Sequence, residues 1–232
     1  MVNVDYFNDL LCVWAYGGQV RLDEMIREYG DRIQLNYHFI PIFASARSQI
    51  EKNWQERQGF KGFNQHLKEV SAQWPHVDCH QKLWLDCQPT TSTSAHLVLK
   101  AVALLEQQGK VEKLRQASLD NRTPFEHLMW KIREAFFARA VDISRFSELR
   151  QLVKNSAVDW DDIYALIDNG EAFASLYQDD QLKQQYCLQG SPSYVLNQGR
   201  QILYGNVGYR IIQSNIEELL HREAGISGAS WC

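Results

Sequence analysis

From Val2 to Asn8 apolar and polar residues alternate, Val2, Val4 and Tyr6 against Asn3 and Asp5, and a period of two over such a run predicts a β-strand. The strand leads directly into Leu10-Leu11-Cys12. Between Gly17 and Tyr29 the apolar set Val20, Leu22, Met25, Ile26 and Tyr29 follows helical spacing, and Gly30 stands where a helix C-terminal glycine is expected. Alternation returns over 33–43, with Ile33, Leu35, Tyr37, Phe39 and Phe43 on one parity and Gln34, Asn36 and His38 on the other. The opening is therefore β-α-β, which implies a right-handed crossover and parallel pairing. Cys12 falls in the strand-to-helix turn.

From Ser45 to Tyr186 the pattern predicts helices only, over 63–73, 94–108, 110–119, 125–139, 145–154, 160–169 and 171–184. Ala-Val-Asp occurs at 140–142 and again at 157–159, and Asp142 and Asp159 each precede an apolar helical pattern. Both are expected to be N-caps. Beyond Pro192, Tyr194-Val195-Leu196-Asn197, a Gln198-Gly199 turn and Gln201-Ile202-Leu203-Tyr204 predict a hairpin, followed by a helix over 209–223. A β-β-α ending thus mirrors the β-α-β opening around a helical insertion.

At 232 residues, 45% hydrophobic, the chain has ample material for a packed core. A net charge of −4 without any basic cluster argues against nucleic acid as a partner. No apolar run is long enough to span a bilayer, and the N-terminal residues lack the pattern of a secretory signal, so no membrane partner and a cytoplasmic location are expected. Cys12, Cys79, Cys87, Cys187 and Cys232 form an odd, irregularly spaced set, expected to be free thiols in a reducing compartment, with the terminal Cys232 incidental.

A cysteine at a helix N-terminus meets unpaired N–H groups and the positive end of the peptide dipoles, which favour its thiolate and make it a nucleophile. The alternative is the ordinary fate of a free cysteine, a buried small hydrophobe. Pro192, ahead of a strand, can hold a cis bond that exposes the backbone N–H and C=O of residue 191 to an extended peptide or a small thiol. An ordinary loop proline is its alternative.

Gly190-Ser191-Pro192-Ser193-Tyr194-Val195-Leu196-Asn197 followed by Gly199 resembles the cis-proline loop and hairpin of DsbA-family proteins. Phe7-Asn8-Asp9-Leu10-Leu11-Cys12-Val13-Trp14-Ala15-Tyr16 is similar to the first-strand motif of the cytoplasmic, FrnE-like branch, in which an acidic residue precedes Cys-X-X-Cys. Thr93-Ser94-Ala95-His96, and Phe136-Phe137-Ala138-Arg139 with Asp142-Ile143-Ser144, resemble two further stretches of the inserted helical domain. The matches occur in order along nearly the whole chain. They imply an α/β thioredoxin-like fold from 1–44 and 187–232, interrupted by a large all-helical domain over 45–186.

The resemblance implies thiol-disulfide exchange with Cys12 as the catalytic nucleophile and Trp14, Ala15, Tyr16, Gly190, Ser191, Pro192 and Ser193 around the substrate or glutathione. Ala15 departs from the pattern, because a dithiol enzyme resolves its mixed disulfide with a second cysteine at that position. Resolution is then expected from glutathione or another thiol, or from Cys187. Alternatively Cys12 activates a bound thiol, as in the related kappa-class glutathione transferases and 2-hydroxychromene-2-carboxylate isomerases, whose active residue is a serine. A non-catalytic binding protein is the third reading. No tightly bound cofactor is expected, glutathione serving as co-substrate, and the partner is a peptide or small-molecule thiol or disulfide, with a homodimer left open. His76, Cys79, His80 and Cys87 match no zinc spacing, so no metal is expected. His38 and His96 are expected to be structural histidines rather than partners of Cys12.

Overall fold

The computed structural model describes residues 1–154, 156 and 158–223; Cys232 therefore lies outside the described residues. Strand β1 (Val2–Asn8) is followed by helices α1 (Val13–Gly17) and α2 (Gln19–Tyr29), then strand β2 (Ile33–Phe39). After α3 (Ala46–Trp54), α4 (Gly59–Ser71), α5 (Leu83–Asp86), α6 (Thr93–Gln107), α7 (Pro124–Arg139), α8 (Phe146–Val153), α9 (Trp160–Asp168) and α10 (Glu171–Gln185) come β3 (Ser193–Leu196), β4 (Gln201–Tyr204) and α11 (Tyr209–Glu223). The sheet order is β2-β1-β3-β4. β1 pairs β2 in parallel, Val2 opposite Ile33, while β1–β3 and β3–β4 are antiparallel.

One face of β1 carries Val2, Val4 and Tyr6, which pack with Leu22 and Met25 of α2 and Ile212 and Ile216 of α11. A second, larger apolar cluster contains Leu10, Leu11, Val13, Tyr16 and Phe39 together with residues of every helix from α3 to α10. The turn bearing Cys12 is thus embedded where helical block and sheet meet. Burial of its apolar neighbours, at roughly 25 cal/mol per Å² removed from water, fixes it there.

Several sequence expectations need correction. The segment 110–119 is not an α-helix, and only Ala117–Leu119 forms a 3-10 turn: the N–H groups of Lys110 and Val111 turn back to Leu105 O, Gly109 takes a positive φ of 73°, and Leu114 is 72% exposed. Only Val111 of its apolar residues is buried, too little to hold a helix against the sheet. β2 stops at Phe39 rather than Phe43, because Pro41 has no N–H to continue a ladder and Phe43 turns into the aromatic cluster of Phe63 and Trp84. Asp159 caps α9 as expected, accepting from Asp161 N. Asp142 instead closes a turn, its Oδ1 accepting from the N–H and hydroxyl of Ser144, and Arg145 occupies the N-cap of α8. The helix predicted from Gly17 to Tyr29 begins as α2 at Gln19, with Gly18 as its N-cap, and the short α1 before it was not anticipated. Helices α3 and α5 were not anticipated; the first has only Ala46 and Ile50 fully buried and the second is a single turn.

Among the described residues no helix is long and apolar enough to cross a membrane.

Candidate active site

Cys12 is the N-cap of α1, its φ and ψ of −81° and 114° still extended, and it is 8% exposed. Its thiol donates to Ser191 O at 3.3 Å. The Ser191–Pro192 peptide bond is cis. Ser191 grips the opposite turn twice, because its hydroxyl also accepts from Asp9 N at 2.9 Å. The same hydroxyl has its own hydrogen left to donate, and its bond to the sulfur favours the thiolate.

The sequence predicts a thiolate-prone cysteine, and here the structure differs. Burial pushes the Cys12 thiol up, and the Asp9 carboxylate adds to that; hydrogen bonds from Ser191 and from the backbone of Ala15 and Trp14 pull it down without overcoming burial. α1 has only five residues, so its macrodipole is small and the local N–H groups supply most of the pull.

Asp9 organises the turn. Its buried carboxylate accepts from Leu11 N at 2.8 Å with one oxygen, and from Phe43 N at 2.9 Å and Ser92 Oγ at 2.8 Å with the other. Three donors satisfy a charge that is otherwise expensive to bury. His96 stands beside it, fully buried and stacked on Phe39, with Nε2 accepting from Leu10 N at 3.2 Å. The imidazole proton is then on Nδ1, and burial lowers its pKa, so His96 is a neutral prop under the turn. His38 serves a different place, between Asp179 Oδ1 at 2.8 Å and Asp5 Oδ1 at 3.3 Å. His38 is bonded at both ring nitrogens, whereas His96 Nδ1 has no hydrogen-bond partner among the described residues.

The other residues expected at the site divide sharply. Trp14 is partly exposed and makes an edge contact with Trp74 at 5.5 Å, giving an aromatic corner beside Cys12. Trp74 also lies against Gly17, where a Cβ would come within 2.1 Å of its ring. Ala15 is fully buried. Tyr16 does not face a groove: it is buried between Trp130 and Phe137, and its hydroxyl donates to Asp78 O at 3.0 Å. Ser193 is likewise buried, its hydroxyl spent on Gly190 O at 2.7 Å. Gly190 is packed against the Tyr204 ring, within 3.1 Å of where a Cβ would sit. Cys187 is exposed in the loop after α10, at a positive φ of 51°. His76 bonds Gly17 O at 2.9 Å, and Cys87 is a buried thiol pushed up to about 11 by burial.

A model of the DsbA-like thioredoxin domain matches residues 3–217. The chain belongs to that family. Among solved structures, this DsbA-like protein superposes on a probable DsbA oxidoreductase from Streptomyces coelicolor with a TM-score of 0.68 at 14% identity, covering 100% of this chain and 94% of that one. A 2-hydroxychromene-2-carboxylate isomerase gives 0.64 at 12% identity over 97% and 100%. The cytosolic disulfide reductase DsbM from Pseudomonas aeruginosa, for which a structure with GSH is also known, gives 0.58 at 16% identity over 94% and 99%. No curated protein matches by sequence. At such identities the likeness to solved structures fixes the fold of the DsbA-like protein and leaves its reaction to be argued from the site.

Sequence reasoning missed Ser92 and the depth of Asp9's role, and it missed Arg133 altogether. Arg133 is fully buried, its Nη1 donating to Gln19 Oε1 at 2.6 Å and its Nη2 to Asn8 Oδ1 at 2.7 Å. The signal was present: Met129, Ile132, Arg133 and Phe136 share one helical face, and a charge on an apolar stripe is uncommon.

Proposed function

We propose that this protein is a thiol-disulfide oxidoreductase working through one nucleophilic cysteine, Cys12, with the second thiol supplied by glutathione or a comparable small thiol. The observation that carries this reading is the 3.3 Å contact of Cys12 Sγ with the carbonyl of the cis-prolyl residue Ser191, together with Ala15 at the position of a resolving thiol. In the forward step the Cys12 thiolate attacks one sulfur of a substrate disulfide; the S–S bond breaks, the partner sulfur leaves as thiolate and takes up a proton, and a mixed disulfide remains on Cys12. A glutathione thiolate then attacks the substrate sulfur of that mixed disulfide and releases Cys12, so that one glutathione is consumed and one glutathionylated product forms. Trp14 and Trp74 offer an apolar wall for the group attached to the attacked sulfur. Free thiols at Cys12, Cys79, Cys87 and Cys187 suit a reducing compartment such as the cytosol.

Treatment with oxidised glutathione, followed by mass spectrometry, is expected to add one glutathionyl group to Cys12 that Cys12→Ser abolishes; an unmodified Cys12 would count against the proposal. The absence of a thiol at 15 favours a second reading, in which Cys12 activates bound glutathione for transfer or isomerisation. Reduced glutathione binding without any exchange with small disulfides would select that reading.

A further inference from the structure

Among the buried polar atoms around the β1–α1–α2 corner, the Tyr6 hydroxyl, Arg133 Nε and His96 Nδ1 make no well-formed hydrogen bond, although the Tyr6 hydroxyl lies close enough to the Arg133 side chain to be drawn down by it. Buried groups of this kind are rare and call for an explanation. Arg133 enters from α7 and bridges Asn8, the last residue of β1, to Gln19, the first residue of α2. These two residues bound the segment that carries Cys12. The intervening α1 is five residues long, about 7.5 Å at 1.5 Å per residue, so Arg133 clamps both ends of the short segment that carries the thiol.

Both of Arg133's bonded partners are neutral amides, and among the described residues no carboxylate lies within ion-pair distance of it. Two buried anions on the neighbouring elements are already committed, Glu126 of the same helix to Arg115, and Asp9, next to Asn8, to Leu11, Phe43 and Ser92. A buried cation without a counter-ion in contact is strongly disfavoured unless a nearby negative charge offsets it. Tyr6 feels both ends: its hydroxyl, pushed up to about 12 by burial, is drawn down by Arg133 and raised by Cys12.

We propose that Arg133, with the Tyr6 hydroxyl between them, is a positioning residue whose buried charge is matched by the Cys12 thiolate, offsetting Asp9 and organising the site in advance for the ionised nucleophile. The inference rests on Cys12 being the reacting group. Deprotonation breaks the S–H bond to Ser191 O, the proton passes to solvent or to the leaving thiolate, and the new negative charge lies between Asp9, which opposes it, and Arg133, which favours it. A preorganised charge in a water-excluded site acts without reorganisation at the moment of reaction. Arg133 also acts on Tyr16 of α1, Tyr194 of β3 and the neutral His96 of α6, and Arg21 of α2 acts with it on Tyr6 and Tyr194. Arg21 is bonded to Asn206 at the rim.

The test is the pH profile of Cys12 alkylation by iodoacetamide, followed on the Cys12 peptide by mass spectrometry in the full-length protein. Arg133→Met is expected to move the midpoint up by about one pH unit, slowing alkylation roughly tenfold at neutral pH, and Arg133→Lys to restore most of it. Tyr6→Phe, which removes only the hydroxyl and leaves Arg133 in place, is expected to shift the midpoint in the same direction by a smaller amount. It also decides the matter should Arg133→Met fail to fold. Unchanged midpoints in the folded variants would overturn the inference. A wild-type Cys12 that forms no mixed disulfide, with the midpoint shifts intact, would sink the exchange reading and leave the Arg133 assignment standing.

Discussion

Ala15 and Asp9 set the limits of what Cys12 does. Ala15 is three residues along α1 from Cys12, and its backbone N–H is directed at the sulfur. Ala15→Cys is therefore expected to restore an intramolecular disulfide, read as a loss of two hydrogens on mild oxidation and as insulin reduction with a small dithiol; two free thiols after oxidation would contradict it. Asp9 opposes the thiolate, so Asp9→Asn is expected to lower the Cys12 midpoint by about one unit, in the range that a nearby like charge produces. The same change weakens the acceptors of Leu11, Phe43 and Ser92, and a loss of about 1–3 kcal/mol in urea unfolding should accompany it. Faster alkylation in a less stable protein is the signature. Slower alkylation would mean that the Asp9 carboxylate does not oppose ionisation.

At the scale of elements, α10 is fastened to the sheet by a buried polar group that the thiol chemistry does not use. Asp179 of α10 accepts from Phe39 N at 2.8 Å and Lys100 Nζ at 3.0 Å, and His38 lies between it and Asp5. Burial works against the charged imidazole, yet hydrogen bonds with Asp179 and Asp5 more than offset it and raise the His38 pKa above 6.5. His38 thus contributes stability that is fully present below its unfolded pKa and is lost as pH rises through its higher folded pKa. For Asp5 the sign is reversed: burial alone would raise it, but hydrogen bonds from His38 and Asn36 leave it lowered, so its contribution is present above the unfolded value near 3.8 and lost as pH falls. Urea unfolding from pH 5 to 9 should show a decline above neutrality that His38→Asn flattens; parallel profiles would refute the linkage. α1 is fastened separately. Gly17→Ala would drive a Cβ into the Trp74 ring, and a cost of about 1–3 kcal/mol with altered tryptophan fluorescence is expected.

Across the whole molecule, one apolar cluster runs from Leu10 to Leu176 and joins the Cys12 turn to the helices. Unfolding is expected to be a single transition, with tryptophan fluorescence and far-UV circular dichroism coincident. Trp14 reports on the Cys12 turn, whereas Trp54, Trp74, Trp84, Trp130 and Trp160 lie between α3 and α9 and report on the helices. Separate midpoints would show that helical block and sheet unfold independently.

The sequence by itself determined β1, the hairpin of β3 and β4 and most of the long helices, because each is written in local periodicity or turn chemistry, while the opposition of Cys12 to Ser191-Pro192 was implied by the family resemblance of their two motifs. It also determined, through Ala15, that no cysteine stands three residues after Cys12. Segment 110–119 was misread because helical spacing alone does not bury a face, and Tyr16 and Ser193 because adjacency in sequence does not say which way a side chain turns. Only the tertiary structure decided the ionisation of Cys12, since burial, Asp9 and Ser191 act on it from the turn after β1 and from the cis-prolyl loop. Charges add through space, and the chain brings those groups together across as many as 179 residues, the separation of Cys12 from Ser191.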